Sequence, residues 1–112
     1  MPDCLFCKVA AGQIPATVIK RADGMVAFKD INPQAPIHLL LIPVTHVASL
    51  DDARDTGVLG SLLAFARDVA KEQGIAERGY RVVLNTNADG GQTVFHLHLH
   101  LLGGRPMTWP PG

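Results

Sequence analysis

The sequence is poor in several residue classes, and each shortage narrows what the protein can be. Only two of its 112 residues are cysteine, which excludes a disulfide-stabilised scaffold. Aromatic residues make up 5% of the chain, so we expect an aliphatic core. Ten Lys and Arg residues balance ten Asp and Glu residues. This zero net charge argues against nucleic acid or an anionic membrane surface as a partner.

Long apolar runs and targeting patterns are also missing. The longest strongly apolar stretch, 39–44, is far shorter than the ~20 residues that cross a bilayer. Residues 1–30 contain no basic segment followed by an apolar one, so we expect no secretory leader and a cytoplasmic location. The chain is 47% hydrophobic and 18% charged, a globular balance, and its length predicts one domain over residues 1–112.

The order of apolar patterns predicts an α+β fold with a mainly antiparallel sheet. A short helix is expected over 4–11, and 3–4 spacing of apolar residues predicts one long helix over 50–73 with Gly74 at its end. Asp23-Gly24 between two apolar runs is typical of a hairpin turn. Strands are expected at 17–20, 25–28, 38–44, 80–84 and 93–102.

Three histidines near the C-terminal end alternate with leucines: His96, Leu97, His98, Leu99, His100 and Leu101. Alternate side chains of a strand point the same way, so the imidazoles are expected on one face and the leucines in the core. Such a cluster indicates a metal site or a nucleophile assisted by like groups. A polar strand face that merely uses histidine is the alternative.

The loop before these histidines contains the parts of an anion cradle. Gly90 and Gly91 allow close backbone approach, while Gln92 and Thr93 add an amide and a hydroxyl. A simple turn explains the glycines equally well. The loop gains interest because it leads directly into the histidines, and a phosphate held there would lie against the imidazoles. Neither a Walker A nor a G-x-G-x-x-G pattern is present.

Four segments together resemble the histidine-triad (HIT) superfamily, and in particular its Hint branch of purine nucleoside phosphoramidases. They are DINPQAP at 30–36, HLLLIP at 38–43, DGGQTVFHLHLHLLGG at 89–104 and WPPG at 109–112. The resemblance covers essentially the whole chain from Leu5. It implies a five-stranded antiparallel sheet with one long and one short helix. It also implies a homodimer that joins two sheets into one, with the long helix at the interface.

The resemblance also implies roles for individual residues. His98 would attack the α-phosphorus of a nucleotide, and His100 would donate to a phosphate oxygen. His38 would orient the triad, although an ordinary strand histidine is the alternative. Asp30 would bind the ribose hydroxyls or, alternatively, form a turn. The implied catalytic residues are His98, His100, His96 and His38, and the implied nucleotide-binding residues are Asp30, Ile31, Phe6, Phe28, Asn85, Gly91, Gln92 and Thr93.

Several of these assignments compete with simpler ones. Periodicity alone assigns Phe6, Phe28 and the apolar residues Leu5, Val9 and Ile14 to the core, whereas the resemblance implies that they line a purine slot. Trp109 would reach the leaving-group side of the dimer or be a loose terminal aromatic.

Two cysteines and two histidines form a separate candidate site. Cys4, Cys7, His46 and His96 are a complete set of tetrahedral zinc ligands. Some HIT proteins carry such a site, so the resemblance implies a structural zinc, and no cofactor is expected for catalysis. The alternative is a pair of reduced thiols. Thiol redox chemistry is disfavoured because a thioredoxin-like βαβ context is missing.

The resemblance thus implies an enzyme that cleaves the P–N bond of AMP or GMP amines, and related acyl-adenylates, through a nucleotidyl-histidine. The first alternative is a dinucleoside polyphosphate hydrolase of the Fhit-like branch. The second is a module that binds nucleotide or zinc without turnover.

Overall fold

The structure, a computed structural model, describes residues 3–112 and is built on a five-stranded antiparallel sheet in the order β1-β2-β3-β5-β4. The strands are β1 (Val18–Ala22), β2 (Met25–Lys29), β3 (Ile37–Pro43), β4 (Tyr80–Val83) and β5 (Leu99–Gly103). The helices are α1 (Leu5–Ala10), a 3-10 turn (Leu50–Asp52) and α2 (Thr56–Glu72). The expected α+β fold is confirmed.

The central strand β3 is buried on both faces, which explains its nearly continuous apolar sequence. Leu39 and Leu41 pack with α2, while Leu40 and Ile42 pack on the opposite face with α1. Antiparallel sheets often leave one face in water, but here each face has its own helix. The shorter α1 leaves part of its face uncovered, and the candidate site lies there.

The long helix begins later than its apolar spacing predicts. The 3-10 turn ends at Asp52, Ala53 is extended, and α2 starts after Asp55, whose carboxylate accepts a hydrogen bond from the Gly57 amide at 2.8 Å. A capping aspartate therefore divides the predicted 50–73 helix. Its expected end is correct, since Gly74 adopts a positive φ of 76° directly after the helix. In the described residues no helix is long and apolar enough to cross a membrane.

The predicted strand over 93–102 is wrong for its first half. Only Leu99–Gly103 pairs with neighbouring strands. The chain before it bonds elsewhere, because the amide of Leu97 donates to the carbonyl of Val47 at 2.6 Å. The expected separation of leucines and histidines onto opposite faces is nevertheless observed. Leu97 packs with α2 in the core, and the histidines lie on the α1 face, where Phe6 contacts His98.

Candidate functional site

The side chain of His98 is buried and held by one backbone contact. Its Nδ1–H donates to the carbonyl oxygen of His96 at 2.7 Å. A carbonyl can only accept, so the proton lies on Nδ1 and the lone pair on Nε2. The Phe6 ring meets this imidazole edge-on, with centroids 5.1 Å apart. His98 therefore has a fixed orientation and one free basic nitrogen, as a nucleophile requires.

His100 and His38 form a hydrogen-bonded pair beside His98. The Gln34 amide donates to Nδ1 of His38 at 3.0 Å, so the proton of that ring lies on Nε2. Nε2–H of His38 then donates to Nδ1 of His100 at 2.9 Å, and Asp30 Oδ2 lies 3.4 Å from the same Nε2. His100 consequently carries its proton on Nε2. The ring of His100 stands 5.2 Å from that of His98.

This group is close enough to suggest a second metal site, since ligand atoms of Asp30, His38 and His100 lie within 4.8 Å of one another. The hydrogen bonds instead indicate a chain of donors and acceptors, in which Gln34 donates to His38 and His38 donates to His100. A cation on Nε2 of His38 would have to displace a proton, while the Gln34 amide already uses Nδ1 of that ring.

His38, His98 and His100 are all held neutral. Burial, reinforced by the neighbouring His98 and His38 and opposed by Asp30, lowers the pKa of His100 to about 4. Burial also lowers the pKa of His38, against the attraction of Asp30. Burial lowers the pKa of His98 as well, against its bond to His96. At neutral pH each ring therefore keeps one donor and one lone pair.

His96 faces away from this group and towards the cysteines. Its Nε2–H donates to the carbonyl of Pro43 at 2.7 Å, which leaves the lone pair on Nδ1. That Nδ1 lies 3.2 Å from Sγ of Cys4, 3.5 Å from Sγ of Cys7 and 3.3 Å from Nδ1 of His46. The structure thus brings together the four residues that the sequence analysis named as possible zinc ligands, although they span about ninety residues of the chain.

The cluster has the dimensions of a zinc site. All four ligand atoms lie within 4.8 Å of one another, and Cys7 Sγ is 3.4 Å from His46 Nδ1. Zn–S bonds of about 2.3 Å and Zn–N bonds of about 2.0–2.1 Å separate tetrahedral ligands by about 3.3–3.8 Å. Burial, together with the neighbouring Cys4, raises the pKa of the Cys7 thiol, so a bound cation would displace its proton. The residues therefore fit tetrahedral zinc.

An apolar pocket of about 730 Å³ opens between α1 and the end of β2, and one of its walls is Phe6, whose ring contacts His98. Phe6, Phe28 and Asp30, all expected to bind nucleotide, line it together with Leu5, Val9 and Ile14. The side chain of Ile31, at its rim, is fully exposed. An apolar slot with one carboxylate at its edge can take a flat base and a sugar with hydroxyl groups.

The loop 85–93 is folded more tightly than its sequence suggests. A Cβ on Gly90 would lie 2.4 Å from the carbonyl oxygen of Thr86, so only glycine fits there. The side chain of Gln92 is buried. It accepts from the Asn87 amide at 2.9 Å and donates to the Ala48 carbonyl at 2.8 Å. Gln92 therefore shapes the loop, and Thr93 is the exposed residue at its end.

Two other expected site residues, Asn85 and Trp109, differ in exposure. Asn85 is half-buried just after β4, and the indole of Trp109 is 83% exposed. Sequence reasoning missed the backbone groups that determine the tautomers of His96, His98 and His38, namely the carbonyls of Pro43 and His96 and the amide of Gln34. Backbone groups carry no side-chain signal, so no sequence pattern could have identified them.

Comparison with known proteins decides the family. The model of the HIT domain matches residues 11–107, and the three alternating histidines, His96, His98 and His100, lie inside that range. The chain belongs to the HIT family. A HIT family hydrolase from Legionella pneumophila has a similar solved structure, with a TM-score of 0.94 and 54% identity over 98% of this chain and 100% of that one.

Two curated relatives of this HIT chain carry informative names. A purine nucleoside phosphoramidase of Escherichia coli is 43% identical over 94% of this chain and 90% of its own. A 14 kDa zinc-binding protein of Zea mays is 48% identical over 96% of this chain and 87% of its own. The expected membership of the HIT family and its Hint branch is thereby confirmed.

Proposed function

We propose that this HIT protein is a hydrolase that cleaves the P–N bond of purine nucleoside 5′-phosphoramidates. One observation carries the proposal. The Nδ1–H of His98 is committed to a carbonyl at 2.7 Å and its Nε2 is free, and Phe6, which contacts this imidazole, also lines a pocket of about 730 Å³ that includes Asp30. The phosphoramidase name of the Escherichia coli relative supports the substrate class. Related acyl-adenylates belong to the same proposal, with a P–O bond broken at phosphorus and a carboxylate as the leaving group.

The proposed reaction has two displacements at phosphorus. Nε2 of His98 attacks, the P–N bond breaks with its electron pair on nitrogen, and the departing amine takes a proton from water. Water then attacks the nucleotidyl-His98, the histidine recovers its lone pair, and AMP or GMP leaves as the released proton enters solvent. A neutral imidazole is a good nucleophile near pH 7.

Other residues would stabilise the charge that develops on phosphate. Nε2–H of His100 donates to one non-bridging oxygen, while the Gly91–Thr93 backbone and the Thr93 hydroxyl hold others. Asp30 accepts from the ribose hydroxyls, Ile31 lies beside the ribose, and Phe6 and Phe28 contact the base. Asn85 lies on the phosphate and leaving-group side, and His38 keeps the proton of His100 in place.

Zinc, in this proposal, is structural. Cys4, Cys7, His46 and His96 would hold it, and it would link α1 to the segment before β5. The proposed chemical steps are carried by the chain's own side chains and use no cofactor. The zinc-binding name of the Zea mays relative supports this assignment.

A homodimer also remains a proposal. The edge strand β4 has one free side in the described chain, Tyr80 on it is 38% exposed, and Leu63 on α2 is 56% exposed. Trp109 would then approach the partner's site. A 12.0 kDa particle in sedimentation equilibrium would contradict this arrangement.

Turnover of two substrate classes tests the proposed function. We expect kcat/KM for adenosine 5′-phosphoramidate to exceed that for diadenosine tri- or tetraphosphate by about 100-fold or more, because the site holds one nucleoside and one phosphate. Preferred cleavage of the dinucleotide would assign the chain to the Fhit-like activity. AMP binding without turnover of either substrate would leave only a binding module.

The pH dependence of the same reaction tests the neutral histidines. His100, which faces His98, His38 and Asp30, acts as a neutral donor and has a pKa lowered to about 4. His100 donates from Nε2 whether or not it is protonated, whereas His98 must be neutral to attack, and burial lowers the pKa of His98, so we expect the acid limb of kcat/KM to lie below pH 6.5. Circular dichroism at each pH separates titration from acid unfolding. An acid limb at 6.5 would contradict the assignment.

A further inference from the structure

A single arginine from the C-terminal tail anchors the loop that determines the His38 tautomer. Nε and Nη2 of Arg105 both donate to the carbonyl oxygen of Gln34, at 3.1 and 3.0 Å. The amide of the same Gln34 donates to Nδ1 of His38 at 3.0 Å. Gln34 is thus held on one side by the guanidinium and on the other by the imidazole.

The tail and the loop are also packed against each other at this point. A Cβ added at Gly104 would lie 2.9 Å from Cβ of Pro36, so the backbone before Arg105 touches the loop directly. Nη1 of Arg105 donates to the Pro106 carbonyl at 3.0 Å, which fixes the guanidinium plane. Two N–H groups of a charged guanidinium on one carbonyl form a strong, directional contact.

The remaining hydrogen bonds around Gln34 are local. Gln34 Nε2 donates to the Asn32 carbonyl, and the Asn32 amide donates to Asp30 Oδ1. These bonds shape the turn internally, but they do not join it to the tail. Asn32 and Gln34 are exposed. Of the side-chain hydrogen bonds described here, the Arg105 contact is therefore the one that ties Gln34 to the tail.

We propose that Arg105 is a positioning residue that acts through Gln34 and His38 to keep the proton of His100 on Nε2. If the Gln34 amide moves away, the proton of His38 can shift to Nδ1, and Nε2 of His38 becomes an acceptor. His100 then places its own proton on Nδ1 to bond with it. Nε2 of His100 is left with a lone pair and repels a phosphate oxygen instead of donating to it.

The expected loss of turnover rests on the proposed function. The expected change in the His38 and His100 tautomers does not. The tautomers of His38 and His100 are properties of the protein without substrate. Their ring nitrogens can be read directly by ¹⁵N NMR of the full chain, since protonated and unprotonated nitrogens have distinct shifts. The two claims can therefore fail separately.

The experiment compares Arg105→Met with Arg105→Lys and with Arg81→Met. Arg81 is the matched control, because its Nη2 donates to the tail carbonyl of Thr108 at 2.8 Å but does not contact the loop. Arg105→Met keeps the length of the stem and removes both donors to Gln34. Arg105→Lys keeps the charge and can place an ammonium N–H on the Gln34 carbonyl in place of the two guanidinium contacts.

We expect Arg105→Met to lower kcat for the phosphoramidate by about 10- to 100-fold, as for other residues that orient a working histidine. AMP affinity should change little, and the ¹⁵N signals of His38 and His100 should show the exchanged tautomers. Arg105→Lys should recover part of kcat, and Arg81→Met should leave kcat and the histidine signals unchanged.

Three results would overturn the proposal. They are unchanged histidine signals in Arg105→Met, an equal loss in Arg81→Met, or a fall in kcat that only follows a lower melting temperature. If Arg105→Met does not fold, Arg105→Lys becomes the test. Histidine signals and a kcat equal to those of wild type in Arg105→Lys would then contradict the proposal. Exchanged tautomers in a protein that turns over no phosphoramidate would refute the proposed function and keep this inference.

Discussion

Replacing His98 by alanine or asparagine is expected to reduce phosphoramidate turnover by more than about 10⁴-fold, because the attacking atom is lost. Asparagine is the sharper variant. Its amide can still donate to the His96 carbonyl in place of Nδ1–H, so the local backbone contact is preserved while the nucleophile is removed. Steady-state hydrolysis of adenosine 5′-phosphoramidate measures the loss.

Two further measurements show whether the loss is chemical. AMP binding by calorimetry should remain in both variants, since Asp30 and the apolar pocket are unchanged. Wild-type enzyme quenched by rapid denaturation at alkaline pH, where the P–N bond of a nucleotidyl-histidine is stable, should carry one nucleotidyl group on His98 in peptide mass spectrometry. Turnover by the asparagine variant within an order of magnitude of wild type, or an adduct on His100, would refute His98 as the nucleophile.

Removing zinc is expected to have the largest effect on stability. At free zinc about 1,000-fold above Kd, binding adds about 4 kcal/mol to the free energy of unfolding. About 4–8 °C of melting temperature correspond to each kcal/mol in a domain near this size, so chelation should lower Tm by about 15–30 °C. The reason is that the metal would join α1 to His46, which follows β3, and to His96, which precedes β5, and both are distant from α1 in sequence. Differential scanning fluorimetry with and without chelator measures the shift.

The matched variants lie on one helix. Cys7→Ser removes a thiolate ligand and should abolish both the bound zinc and the response to chelator. Lys8→Ser introduces the same side chain one position later, outside the four-residue cluster, and should keep both. Atomic absorption gives the zinc content per chain. Absence of zinc from wild type, with Tm indifferent to added zinc and chelator, would favour the alternative of a reduced thiol pair.

Local sequence patterns predicted the elements whose signals are short-range. The Asp23-Gly24 turn joins β1 to β2, with positive φ values of 54° and 75°, and Gly74 ends α2. Alternation of histidine and leucine also predicted which side chains enter the core, because Leu97 is buried even outside a ladder. The alternation did not predict which of these residues pair with a neighbouring strand. The face on which a side chain lies depends on whether it avoids water, whereas strand pairing depends on a partner strand elsewhere in the chain.

The helix boundary shows the same limit. Apolar spacing continued through residues 50–55, but the Asp55 carboxylate competes for the Gly57 amide and begins a new helix there. A hydrophobic pattern indicates which face of a helix is buried, but it does not indicate where a capping hydrogen bond starts the helix. The predicted single helix over 50–73 was therefore too long at its start.

By itself, the sequence determined which chemical groups are available: histidines segregated from leucines, an acidic loop, a glycine turn and two cysteines. Only the tertiary structure decided what state each group is in. The carbonyls of Pro43 and His96 and the amide of Gln34 assign the protons of three imidazoles, and His38 assigns the fourth. Those partners are backbone atoms or residues far away in the chain. Hydrogen bonding depends on where atoms meet, and that is known only once the chain is folded.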